Sequence, residues 1–189
     1  MNNMVVVTDI FGRSPALEKL CTHLQDYSSS EVEIIDPYNG KYIDFTDEQQ
    51  AYQHFTRCGG VEIFAKILLK ALTRQQVPIK IIAFSVGASA LWSLSENNQL
   101  IHIKQANCFY GSQIRYYQNI NPIFPIKLIF PAHENHFDVD KLQNNLVQKE
   151  NVTANKTVYL HGFMNELSTN FNINAYNTCI GSKRYLKHK

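Results

Sequence analysis

Short apolar runs and longer helical stripes alternate along the chain. Met4–Thr8 (MVVVT) is a compact β-branched run and predicts a first strand. Over Ser14–Gln25 the apolar residues Leu17, Leu20, Cys21 and Leu24 fall at helical spacing. Glu31–Asp36 (EVEIID) predicts a second strand, closed by the turn signal Pro37-Tyr38-Asn39-Gly40. Residues 41–60 are polar and poorly periodic, and predict a loop with one short helix. Val61–Leu72 carries a clear stripe of Ile63, Phe64, Ile67, Leu68 and Leu72. Pro78 opens a third strand, Ile79–Phe84, and a short helix from Ser85 to about Leu94 follows directly. Gln105–Tyr110 and Ile126–Phe130 predict two more strands, and Asp138–Val147 a helix with Asp138 as N-cap. Thr157–Leu160 (TVYL) predicts a last strand and Phe171–Leu186 a closing helix.

Such βαβα alternation predicts an α/β protein with a mainly parallel sheet and helices on both faces. In sheets of this kind the chemistry sits in loops at the carboxyl ends of the strands. At 189 residues the chain is expected to form a single domain over residues 1–189. A hydrophobic fraction of 44% with 18% charged residues is ordinary for a globular protein.

A net charge of +2 is too weak a bias to imply nucleic acid as partner. Lys183, Arg184, Lys187 and Lys189 read as a solvated helix end. The opening MNNMVVVTDIF lacks a charged n-region and reads as a strand rather than a signal peptide. No apolar stretch approaches the ~18–20 residues that span a bilayer, so no membrane partner is expected. Cys21, Cys58, Cys108 and Cys179 show no CxxC spacing; separate thiols suit a reducing, cytoplasmic setting.

The chemistry concentrates at Ala83-Phe84-Ser85-Val86-Gly87, a near match to G-x-S-x-G with Ala83 in the first glycine's place. A nucleophile there needs a sharp strand-to-helix turn that lifts Ser85 Oγ clear of the sheet, with small residues on either side. The bland alternative is a serine that merely caps the helix. Ser89 and Ser93, inside the helix, are weaker candidates. His161, in the loop Leu160-His161-Gly162 after the last predicted strand, is placed to act as general base.

Together these pieces resemble the dienelactone hydrolase family, whose members have the α/β-hydrolase fold. VVVTDIFG (Val5–Gly12) is similar to its first-strand motif and IIDPYNG (Ile34–Gly40) to its second-strand segment. AFSVGASALW (Ala83–Trp92) resembles its nucleophile elbow, FYGSQ (Phe109–Gln113) a later Tyr-Gly turn, and HGFMN (His161–Asn165) its histidine loop. The resemblance is colinear across essentially the whole chain. Two departures stand out: the founding members use cysteine where this chain has Ser85, and this chain is shorter than typical members.

The resemblance implies cleavage of a small carboxylic ester or lactone through an acyl-enzyme at Ser85, with His161 as base. The sequence has no long insertion that could form a lid domain, so none is expected. The family's acidic slot falls on Asn135, which carries no charge to stabilise an imidazolium. Glu134, one residue earlier and one methylene longer, is the first alternative, Asp138 the second, and the absence of a working acid the third. The oxyanion donors would be the backbone N–H groups of Ile10 and Val86. Asp9 matches the family's acidic residue beside the nucleophile, and either orients a group there or simply ends the strand. Arg13, Tyr38 and Arg115 are candidate substrate contacts. No cofactor is expected, and His133 and His136 lack the helical HExxH spacing of a metal site. A catalytically weak or inactive binding protein on the same scaffold is the competing reading, and acyl transfer to an acceptor other than water uses the same residues.

Overall fold

The computed structural model describes residues 3–181. The basic tail and the end of the predicted closing helix lie outside the described residues. Strand β1 (Asn3–Val7) leads through α1 (Pro15–Ser28) to β2 (Glu31–Ile35). Helices α2 (Glu48–Arg57) and α3 (Gly60–Leu72) then return the chain to β3 (Ile79–Phe84). The remainder runs α4 (Val86–Leu94), β4 (Ile103–Phe109), β5 (Ile126–Phe130), α5 (Val139–Leu146), β6 (Val152–Lys156) and α6 (Ile173–Gly181). The polar segment 41–60 contains the ten-residue α2, longer than its weak periodicity suggested, started by Asp47 accepting from Gln50 N at 2.8 Å.

All six strands pair in parallel, in the order β2-β1-β3-β4-β5-β6. Alternate side chains leave the sheet on opposite faces, and each face finds its own helices. Val5, Val7, Ile81 and Ala83 pack towards α3, α4 and α5, around the fully buried Trp92. Met4, Val6, Ile82 and Phe84 pack towards α1 and α6, with Phe163 and Met164 completing that layer. The sequence order reverses between β1 and β3, since β2 lies on one side of β1 and β3 on the other. Loops at the carboxyl ends of β1 and β3 therefore splay apart and open a crevice.

One predicted strand is displaced. The last strand is Val152–Lys156 and not Thr157–Leu160. As an edge strand packed on α5, β6 needs only Val152 and Ala154 turned inward, so VTANK gives almost no hydrophobic signal. The apolar TVYL segment instead forms a turn in which Val158 is 84% exposed. It is tied to the loop after β5 by Thr157 N donating to Phe130 O (2.9 Å) and Ala132 N donating to Tyr159 O (2.7 Å). Those bonds set the approach of the histidine that follows.

Candidate active site

Ser85 stands alone between the last residue of β3 and the first of α4, with φ +49° and ψ −112°. A non-glycine residue held at positive φ costs roughly 1–3 kcal/mol and persists only where its surroundings over-determine it. Here Ser85 N donates to Phe109 O at 2.9 Å, and Ser85 O accepts from both Ser89 N (3.0 Å) and Ser89 Oγ (3.1 Å). Helix α4 also presses so close to β1 that a Cβ on Gly87 would lie 2.3 Å from Thr8 O. Ala83 is completely buried, its methyl accommodated where the motif has glycine. The Ser85 side chain makes no cap bond to its helix, which leaves the hydroxyl for other partners. Ser93 Oγ, by contrast, is turned onto the carbonyl of Ala90 at 2.8 Å.

The partner of Ser85 Oγ is His161 Nε2, at 2.9 Å. On the other side of the ring, His161 Nδ1 is 2.7 Å from Glu134 Oε1. A carboxylate can only accept, so Nδ1 carries the proton and Nε2 is free to accept from the serine. The His161 backbone is held by Asn170 Nδ2 donating to its carbonyl at 2.9 Å, and its ring lies 5.0 Å from that of the buried Tyr110. The Glu134 side chain is 12% exposed and that of His161 34%. Asn135 and Asp138 are exposed, and Asp138 accepts from Lys141 N at 3.0 Å as the cap of α5. Of the two carboxylates considered from the sequence, the structure brings only Glu134 to the histidine.

Ser85, His161, Glu134, Asp9, Ile10 and Val86 line a common cavity of about 440 Å³. Val86 N, at the first position of α4, has no intrahelical acceptor. Among the described residues, neither it nor Ile10 N is paired with another protein group. Asp9 is buried; its carboxylate accepts from Phe11 N (3.0 Å) and Asn165 Nδ2 (2.7 Å). Burial pushes its pKa above the ordinary carboxylate value, against the opposing pull of those hydrogen bonds and the His161 charge. The Asp9–Asn165 bond ties the loop carrying Ile10 to the loop carrying His161.

Arg13 and Tyr38 do not reach the cavity. Arg13 pairs with Glu18 (3.2 Å) and Asp36 (3.7 Å). Tyr38 donates to Ile10 O at 2.6 Å and covers Gly12 from behind, so both brace the loop after β1 rather than face a ligand. Arg115 does line the cavity, as do His136 and Tyr52. Asn165 and Asn170 were not singled out from sequence; the only signal for Asn165 was its place at the end of HGFMN. No group of three or more metal-ligating side chains occurs among the described residues. Nor is any described helix long and apolar enough to cross a membrane.

The chain has the α/β-hydrolase fold. It is similar to a dienelactone hydrolase-like promiscuous phosphotriesterase from metagenomic libraries, at 14% identity and TM-score 0.67 over 93% of this chain and 81% of that one. The dienelactone hydrolase of Anabaena variabilis gives 14% identity and TM-score 0.63, over 95% and 82% of the two chains. A cold-adapted esterase from an Arctic intertidal metagenomic library gives 11% and 0.60, over 95% and 82%. No family model matches the sequence. By sequence, the chain is 32% identical over 130 residues to the uncharacterized protein YczH of Bacillus subtilis, covering 67% of this chain. It spans 62% of that relative's length.

Proposed function

We propose that the protein is a serine hydrolase that cleaves a carboxylic ester or lactone through an acyl-enzyme at Ser85. The observation that carries this reading is the continuous chain Ser85 Oγ–His161 Nε2 and His161 Nδ1–Glu134 Oε1, with spacings of 2.9 and 2.7 Å. Attack of Oγ on the ester carbonyl transfers the serine proton to Nε2, and Glu134 stabilises the imidazolium that results. The tetrahedral oxyanion is assigned to the N–H groups of Ile10 and Val86. Collapse breaks the bond to the alkoxy oxygen, which leaves with the proton from Nε2. Water, deprotonated by the same nitrogen, then releases the acid and restores Ser85. Structural neighbours described as a dienelactone hydrolase and an esterase support this choice of reaction. The four unpaired cysteines, three of them buried, support a reducing cytoplasmic setting.

A fluorophosphonate probe should label the protein once, at Ser85, and Ser85→Ala should abolish both labelling and hydrolysis of short p-nitrophenyl esters. A folded protein that leaves Ser85 unlabelled would overturn the assignment and favour a binding protein built on the same scaffold.

A further inference from the structure

The cavity at Ser85 does not end at Arg115. A second hollow of about 660 Å³ shares Tyr52, Arg115 and His136 with it, and continues between the Ser112–Tyr116 turn and the start of α5. Tyr52, Tyr116, Phe137 and the buried Leu142 give it an aromatic and apolar wall, and Gln118 and Asn145, bonded to each other, give it a polar one. Its fixed charges are the cations of Arg115 and Lys141 and the carboxylate of Asp138, which leaves one positive charge in excess with His136 neutral.

The Arg115 guanidinium is held rather than loose. Nη1 donates to Ser112 O at 2.7 Å and Nη2 to the Tyr116 hydroxyl at 2.6 Å. Its carbon lies 4.2 Å over the Tyr116 ring and 5.1 Å over that of Phe137. A guanidinium has five N–H donors in a fixed fork, so most remain unspent after those two bonds. Among the described residues, neither Arg115 nor Lys141 has an ion-pair partner. A half-buried cation, pre-oriented between aromatic rings and without a counter-ion, is built to receive one.

We propose that this outer hollow is a subsite for a carboxylate carried at the far end of an elongated ester, with Arg115 as its principal contact and Lys141 as the second. The substrate class is then an ester with an apolar spacer and one distal negative charge, larger than the small neutral esters that the 440 Å³ inner cavity would hold by itself. The single excess positive charge, with the Asp138 carboxylate close by, favours a monoanion over a doubly charged phosphate. This proposal rests on the hydrolase reading of Ser85, His161 and Glu134.

The test uses two esters of equal chain length, p-nitrophenyl hydrogen suberate and p-nitrophenyl octanoate, and reads the ratio of their kcat/KM values. Losing a charge-assisted hydrogen bond from Arg115 should lower that ratio by about tenfold in Arg115→Gln. The effect in Lys141→Gln should be smaller, because that residue is exposed. A ratio that changes by less than about threefold in Arg115→Gln, while octanoate is still cleaved, overturns the subsite and leaves the hydrolase reading intact. If neither ester is cleaved, fluorophosphonate labelling of Ser85 decides the hydrolase reading, and calorimetry of the wild-type protein with the monoamide of suberic acid decides the subsite. Binding weakened about tenfold by Arg115→Gln supports it, and no binding overturns it.

Discussion

At Glu134 one carboxylate fixes which nitrogen of His161 faces the serine. It lies 2.7 Å from Nδ1, so replacing it by an amide removes the charge that favours the imidazolium and allows the ring to hold its proton on the wrong nitrogen. Glu134→Gln should therefore lower kcat by about 10³–10⁴ with little change in fold, as read by steady-state kinetics beside circular dichroism. The place of Ser85 in a strand-to-helix turn was legible in the sequence because such an elbow imposes a local pattern, a small residue two places on either side of the serine. His161 was legible only in company, since a loop histidine carries no local signature. The carboxylate beside His161 was legible only as a choice between Glu134 and Asp138. Glu134 Oε1 lies 2.7 Å from the ring, and no residue pattern encodes that reach. Asn165 and Asn170 were less legible still, since an amide that binds a neighbouring loop looks in sequence like any surface asparagine.

Among the elements, α4 packs closely against the end of β1 at the site. A methyl group at Gly87 would meet Thr8 O at 2.3 Å and Val7 O at 3.0 Å, both backbone atoms that cannot rotate away. Gly87→Ala should destabilise the protein by about 1–3 kcal/mol, measured as a lower urea midpoint, because the helix must move off the strand. The same displacement carries Ser85 away from His161, so activity should fall in the fraction that remains folded. The pattern of β3 predicts the bounds it has in the structure because the strand is central and largely apolar on both faces, whereas the pattern of β6 predicts no strand. An edge strand with two inward residues is specified by its pairing with β5 and its packing on α5, and its own residue pattern records neither contact. The α/β architecture itself was legible from alternation alone; the strand order, with its reversal at β1, was not.

Across the whole molecule, the four thiols report on the integrity of the core. Burial pushes the pKa of Cys21, Cys108 and Cys179 up to about 12, and only Cys58 is exposed. A thiolate is the reactive form, so at mildly alkaline pH the three buried groups stay protonated and inert. Titration with a disulfide reagent should thus find one reactive cysteine in the native protein and all four after denaturation. Cys58→Ser should leave the native protein unreactive. Two or more fast-reacting thiols in the native wild type would show that a layer of the core opens readily.

The backbone at Ser85 carries a conformational cost in the turn that presents its hydroxyl to His161. Glycine adopts a φ of +49° without the clash that a side chain brings, so Ser85→Gly relieves strain while deleting the proposed nucleophile. Heat tolerance and turnover therefore pull this position in opposite directions. A library screened for thermal survival alone would be expected to enrich glycine at residue 85, and each round would discard the reaction in exchange for a more comfortable turn.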